Sequence, residues 1–221
     1  MGMPFTETQF LDLFEAFNTA FWPVLAALWL VTLAAVVQIL RGRASTRAIA
    51  GLAALHWAWS GVVYHGVFFS AINPAAWIFA AVFVVQAAAF AVIAVVPGRL
   101  TFAWRGTPAG VAGVVVLVYS LLYPALAVAG AHDWPRAPAF GVPCPTTLFT
   151  AGLLLSAVPA APRWLFVVPA IWSVVAGSAA VLLGIAPDLM VFPAIAAMAV
   201  WGGWWWHRPL SDRLQAAHVK S

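Results

Sequence analysis

The sequence LHWAWSGVVYHGVFFSAINPAAW, from Leu55 to Trp77, places His56 and His65 in an otherwise apolar segment that ends at Asn73-Pro74. The stretch carries no Lys, Arg, Asp or Glu, and its first part is typical of a membrane-spanning helix. Polar side chains at membrane depth are energetically costly, so they are functional candidates by default. The stretch therefore predicts a membrane protein and also the region in which to look for its site.

The composition of the whole chain agrees with an integral membrane protein. Of its 221 residues, 65% are hydrophobic and 7% are charged, whereas soluble domains carry about 25% charged residues. The formal net charge of +4 has to be assigned loop by loop, so it does not indicate nucleic-acid binding. The single cysteine, Cys144, excludes an intrachain disulfide bond and a zinc site made of cysteine pairs.

Seven apolar segments predict an all-α bundle of seven transmembrane helices without a second domain. Most segments have about the 20 residues that are needed to cross the hydrocarbon core. The predicted spans are 20–40, 47–69, 74–96, 109–130, 145–161, 163–184 and 187–206. The bundle therefore covers residues 20–206, and residues 207–221 form a cytoplasmic tail.

Residues 1–19 are predicted to form a short amphipathic helix on the outer, periplasmic side, before the first span. Thr6 and Gln9 have the spacing of a capping box. Phe10 and Phe14 share one helical face with other apolar residues. Such a helix is expected to lie on the membrane surface.

The distribution of positive charges predicts an outer N-terminus and a cytoplasmic C-terminus. If the odd-numbered connections are cytoplasmic, nine of the ten Lys and Arg residues lie inside. These nine are Arg41, Arg43, Arg47, Arg99, Arg105, Arg163, Arg208, Arg213 and Lys220. Arg136 alone lies outside, which agrees with the positive-inside rule.

The two histidines of the second span are predicted to lie in different surroundings. A separation of nine residues turns an α-helix by about 180° and raises it by about 13.5 Å, so the two side chains cannot share one ion unless the helix breaks. His56 lies near the middle of the membrane, as does Gln86 of the third span, and both are expected to form interhelical hydrogen bonds. His65 lies in the outer third beside Tyr64 and could titrate in an outward-facing cavity.

Two further segments carry candidate residues. Asn73 and Pro74 are expected to be the N-cap and first residue of the third helix, or alternatively part of an anion site at its N-terminus. Cys144 opens the fifth helix. A thiol in that position can act as a nucleophile or a metal ligand, and the alternative is an inert buried cysteine.

The predicted orientation places most of the polar side chains in the outer half of the bundle. We expect them to form one outward-facing binding site for a small solute or ion. Its predicted residues are Tyr64, His65, Asn73, Tyr123, Cys144, Thr146 and Thr147. His65 and Cys144 are the candidate metal ligands, so we expect them to lie close together, and a transition metal is the cofactor that they would hold.

Three functions fit these observations. The first is a small-solute or ion permease or binding protein. The second is a membrane metal or haem protein, either redox-active or a zinc hydrolase. The third is an accessory subunit of a larger membrane complex. The lipid bilayer is a required partner, and a homo-oligomer is left open. The chain has no Gly-rich phosphate loop, H-E-x-x-H motif or nucleophile elbow, so it indicates no particular enzyme class.

The motifs quoted above resemble an uncharacterised bacterial family of multi-pass membrane proteins, described as a domain of unknown function. The residues that carry the resemblance are Pro4 to Thr6, Trp59, Gly61, Tyr64, His65, Phe69, Ile72 to Ala75, Cys144 to Thr147, Phe149 and Thr150. The resemblance covers nearly the whole chain. It implies a multi-pass protein of the bacterial inner membrane, and it implies no activity and no functional residues.

Trp57, Ser60 and His65 are also similar to the Ser…His helix of the seven-helix hydrolase superfamily that includes the alkaline ceramidases. These enzymes bind zinc through three histidines, an Asp and a Ser, so the resemblance implies a zinc hydrolase. Here, however, the Ser–His spacing is five rather than four. His207 near the last span stands without a second histidine beside it, which argues against this zinc site.

Overall fold

The computed structural model describes residues 4–96, 100–130 and 133–204, and this part of the chain is mostly helical. Seven α-helices follow one another within it. They are α1 (Glu7–Leu40), α2 (Thr46–Trp59), α3 (Ala76–Val95), α4 (Pro108–Ala129), α5 (Pro143–Leu155), α6 (Trp164–Leu183) and α7 (Val191–Trp204). The predicted tail over 207–221, His207 included, lies outside the described residues.

Four of these helices, α1, α3, α4 and α6, are long and apolar enough to cross a membrane. Helix α5 and the segment 186–201 are apolar but shorter. The structure therefore supports the membrane class of the protein by the length and composition of its helices. The number of seven spans and the orientation of the chain stay predictions.

Helix α1 corrects the predicted boundary near residue 19. The capping box is present, because the Gln9 N–H donates to Thr6 Oγ1 at 3.2 Å and the Thr6 N–H donates to Gln9 Oε1 at 2.8 Å. The helix then runs without a break to Leu40, with Pro23 inside it. Asn18 does not end it, because the Asn18 side chain bonds to a distant loop. The first span and the N-terminal amphipathic segment are thus one helix.

The second predicted span is one continuous helical segment that changes type along its length. After α2, residues Ser60–Phe68 form a π-helix and residues Phe69–Ala71 form a 3₁₀ turn. A π-helix has i→i+5 hydrogen bonds. It is a rare structure, and where it occurs it is often at a functional site. It contains both Tyr64 and His65, which were singled out from the sequence for other reasons.

Helix α5 is the buried centre of the bundle, and it is shorter than the predicted span 145–161. All thirteen of its residues are buried. Beyond Leu155 the chain leaves the helix and forms the two-residue strand β2 (Ala157–Val158), which pairs antiparallel with β1 (Thr101–Phe102). This strand pair was not predicted, because Ala157 and Val158 before Pro159 look the same in a helix end and in a strand.

Glycines allow two helix pairs to approach closely. A Cβ added to Gly61, in the π-helix after α2, would lie 2.9 Å from the Cβ of Phe83 on α3. Helices α4 and α5 meet through Gly113 and Gly152, since a Cβ on either would lie within 2.9 Å of the carbonyl oxygen of the other. Small residues are the usual means of close contact between membrane helices.

His56 and Gln86, which were predicted to lie near the middle of the membrane, form hydrogen bonds between helices. The Thr32 hydroxyl of α1 lies 2.8 Å from His56 Nε2 of α2. Gln86 Nε2 of α3 donates to the Leu165 carbonyl of α6 at 3.0 Å. His56 and Gln86 are buried, so they are part of the packed core.

Candidate functional site

A cavity of about 190 Å³ lies between the beginning of α1, the π-helix, α6 and the turn before α7. Its wall is mainly aromatic and aliphatic, with a few polar groups. The aromatic residues are Phe5, Phe10, Phe14, Tyr64, Phe69, Phe79, Tyr123 and Trp172. The other polar residues are His65, Asn73, Cys144 and Asp188. A mainly apolar cavity with a few convergent polar groups is the usual form of a small-molecule site.

Five of the seven residues that the sequence singled out line this cavity: Tyr64, His65, Asn73, Tyr123 and Cys144. The two threonines do not line it. Thr146 Oγ1 lies 3.1 Å from Ser60 Oγ, and the Thr147 hydroxyl donates to the Pro143 carbonyl at 2.9 Å. Both threonines are buried in α5, where Thr146 contacts the π-helix and Thr147 bonds within its own helix.

His65 is fully buried, and its ring lies among aromatic rings. The ring centroids are 4.7 Å from Phe83, 5.0 Å from Trp172 and 5.6 Å from Phe79. Neither ring nitrogen has a hydrogen-bond partner within the described part of the chain. A buried polar group without a partner costs about 1–3 kcal/mol, so a ligand group that bonded to either nitrogen would be favoured.

Asp188 provides the charged end of the cavity. It lies in the 3₁₀ segment Ala186–Met190 before α7 and is only 6% exposed. The Tyr123 hydroxyl of α4 donates to Asp188 Oδ1. The Cys144 thiol lies beside the same carboxyl group and beside the Trp172 indole. Helices α4, α5 and α6 and the turn before α7 thus all contribute to this cluster.

Asp188 is not among the seven site residues that were predicted from the sequence. The signal that could have found it is a carboxylate next to an apolar segment, since such a residue is rare and functional by default. Its neighbour in space, Tyr123, is 65 positions away in sequence, and no spacing pattern reveals such a contact.

Asn73 lies one turn before the helix that it was predicted to cap. Helix α3 begins at Ala76 with Ala75 as its cap. Asn73 Oδ1 accepts a hydrogen bond from the Ala75 N–H at 3.0 Å, which is an Asx turn. The side-chain oxygen is therefore used locally, and Asn73 shapes the rim of the cavity.

The candidate metal ligands His65 and Cys144 line the same cavity, but they lack a third ligand. Across residues 4–96, 100–130 and 133–204, no group of three or more His, Cys, Asp and Glu side chains could hold a metal ion. Zinc sites take at least three protein ligands. The arrangement therefore gives no support to the zinc-hydrolase alternative.

The comparisons with known proteins support one part of the first resemblance, namely a family of unknown function. Residues 7–203 match the family model described as "Family of unknown function (DUF6064)". No curated protein and no solved structure matches this chain, so the likeness to the ceramidase superfamily gains no support. Because the matched region covers most of the chain, the protein belongs to this family of unknown function.

Proposed function

We propose that the protein binds a small, mainly apolar molecule in the cavity between α1, the π-helix and α6. The observation that carries the proposal is the cavity itself, whose apolar wall surrounds buried polar groups. His65 lines it with two unpartnered nitrogens, as far as the described residues extend. An apolar molecule in this cavity would cover aromatic surface, and a polar group on it could satisfy His65.

The rim of the cavity reaches an exposed part of α6, which would face lipid if α6 crosses the membrane. Val175 of α6 lines the cavity and is 37% exposed. Ala179, one turn further on, lines it and is half-buried, and Pro4 at the opposite rim is exposed. A molecule dissolved in the bilayer could therefore enter sideways between the beginning of α1 and α6.

The geometry favours binding over conduction. Beyond the cavity, towards the middle of the bundle, Trp57, Phe83 and Phe149 are almost completely buried and belong to one continuous hydrophobic core. A permease needs a route from its site to the opposite side, and these large side chains fill that space. We therefore propose a binding protein, as the narrower form of the solute-binding function predicted from the sequence.

A phenylalanine at the rim should abolish binding by filling the entrance. We expect neopentylbenzene, a neutral apolar probe, to raise the thermal unfolding midpoint of the purified protein, because a ligand that binds the folded state stabilises it. Ala179→Phe should remove this shift. The measurement is a thermal unfolding series at increasing probe concentration, with the protein in lipid nanodiscs.

Ala170→Phe is the matched control. Ala170 lies on the same helix and is also half-buried, but it does not line the cavity. This variant should keep the shift of the unmodified protein. An equal shift in both variants would contradict the proposed function.

A further inference from the structure

The buried carboxyl group of Asp188 has no cationic side chain beside it among the residues that the structure describes. Its described partners, the Tyr123 hydroxyl and the Cys144 thiol, are neutral. No Lys or Arg is among the described residues that line the cavity. Arg136, the basic residue predicted to be on the outer side, contacts Asp12 and Glu15 instead. A buried carboxyl group without a counter-ion is costly to ionise, so a cation bound in the cavity would favour its ionised form.

Aromatic rings cover much of the remaining wall. Phe10 and Phe14 make an edge contact with centroids 4.8 Å apart, and Phe5 makes one with Phe69 at 5.4 Å. Tyr64 stacks on Phe69 at 6.0 Å. The face of an aromatic ring carries negative electrostatic potential, and clustered rings bind quaternary ammonium groups through it.

From these two features we infer that the ligand of this cavity is a lipophilic cation, an amine or a quaternary ammonium compound, with Asp188 as its counter-ion. The inference rests on the proposed function and names the chemical class of its ligand. The aromatic cluster receives the apolar body and the outer shell of the ammonium group. In a neutral imidazole one ring nitrogen is an acceptor, so His65 can also accept a hydrogen bond from a protonated amine.

Other ligand charges fit the wall less well. An anion would be repelled by Asp188 and would find no Lys or Arg among the described lining residues. A neutral molecule would gain no charge attraction from the carboxyl group. A cation satisfies the carboxylate and the ring faces together, and this combination decides between the three classes.

Two probes of the same shape separate charge from size. Benzyltrimethylammonium and neopentylbenzene differ by one atom, a positively charged nitrogen in place of a carbon. Both are titrated into the full-length protein in nanodiscs by calorimetry. Asp188→Asn should lower the affinity for benzyltrimethylammonium by at least about tenfold, which is the lower end of the range for close charge pairs. The same substitution should leave the affinity for neopentylbenzene unchanged. The amide oxygen of the introduced asparagine can still accept the Tyr123 hydrogen bond, so the fold should be retained.

Two control variants distinguish the effect of the Asp188 charge on binding from the effect of a shifted turn before α7. Asp188→Glu keeps the charge and should restore part of the lost benzyltrimethylammonium affinity. Tyr119→Phe removes the bond from the Tyr119 hydroxyl to the Pro187 carbonyl, 2.9 Å long, and so loosens the same turn without touching the charge. Tyr119 does not line the cavity, and its variant should bind both probes as the unmodified protein does.

The outcomes distinguish the two proposals. If neopentylbenzene binds and benzyltrimethylammonium does not, the ligand is not a cation and the inference is overturned, while the proposed function stands. The inference is also overturned if Asp188→Asn lowers the affinity for both probes equally, or if it lowers the affinity for neither probe. If neither probe binds to the unmodified protein, the proposed function itself fails.

Discussion

Replacing Gly152 with valine is expected to prevent the bundle from assembling stably. A Cβ at this position would lie 2.6 Å from Leu117 Cγ and 2.8 Å from the Gly113 carbonyl oxygen of α4. Helix α5 is buried on every side, so it has no free direction in which to move. Overpacking of a well-packed core costs about 1–3 kcal/mol per added group and sometimes more. We therefore expect Gly152→Ala to lower the midpoint of thermal unfolding and Gly152→Val to yield mainly aggregated protein.

Gly51 of α2 supplies the matched control for this experiment. A Cβ on Gly51 would meet no atom within 4 Å, so Gly51→Ala should change the free energy of unfolding by less than about 1 kcal/mol. Size-exclusion profiles and thermal unfolding of the variants measure both effects. Monodisperse Gly152→Val protein with an unchanged unfolding midpoint would show that α4 and α5 are further apart than described.

The second large effect is expected at Asn18, which ties α1 to the loop after α4. Its side-chain nitrogen donates to the Pro135 carbonyl at 2.6 Å and to the Ala137 carbonyl at 2.8 Å, and Asn18 is fully buried. Asn18→Leu leaves both carbonyl groups without these donors. Since each unsatisfied buried group costs about 1–3 kcal/mol, the free energy of unfolding should fall by roughly 2–5 kcal/mol. Chemical unfolding in a mild detergent measures it.

The same loop contains an exposed contact that should matter little. Arg136 contacts Asp12 of α1, and the side chains are 41% and 58% exposed. Exposed ion pairs contribute about 0–1 kcal/mol, so Asp12→Asn should cost less than about 1 kcal/mol. If Asp12→Asn destabilises the protein as much as Asn18→Leu does, the buried amide is not the main attachment of this loop.

Much of the fold could be predicted because the membrane restricts the chain to apolar helices. Length and composition were enough to find helices such as α3 and α6. Length and composition wrongly predicted a break between the amphipathic segment and the first span, because α1 continues through Pro23. They also failed at the end of α5. The chain leaves the helix there because the backbone pairs with residues 101–102, a partner about fifty positions away that no local pattern identifies.

For the candidate site, the sequence predicted which residues lie on the same side of the membrane, but it did not predict which of them touch. The predicted orientation grouped Tyr64, His65 and Cys144 on the outer side, and these three residues line one cavity. The side of the membrane does not determine the direction of a side chain, which is why Thr147 faces its own helix. The pairing of Asp188 with Tyr123 depends on how α4 packs against the turn before α7, and one sequence does not contain that arrangement.

The π-helix divides the second predicted span into two halves whose side chains point in different directions. Its i→i+5 bonding accommodates more residues per turn than the α-helix before it, so the π-helical half is out of phase with the α-helical half. His56 in the α-helical half faces Thr32 and Phe140, whereas His65 in the π-helical half faces Trp172. Gain or loss of a single residue between them would rotate His65 by about 100° without disturbing His56. The wall of the cavity can therefore be altered independently of the core that supports it.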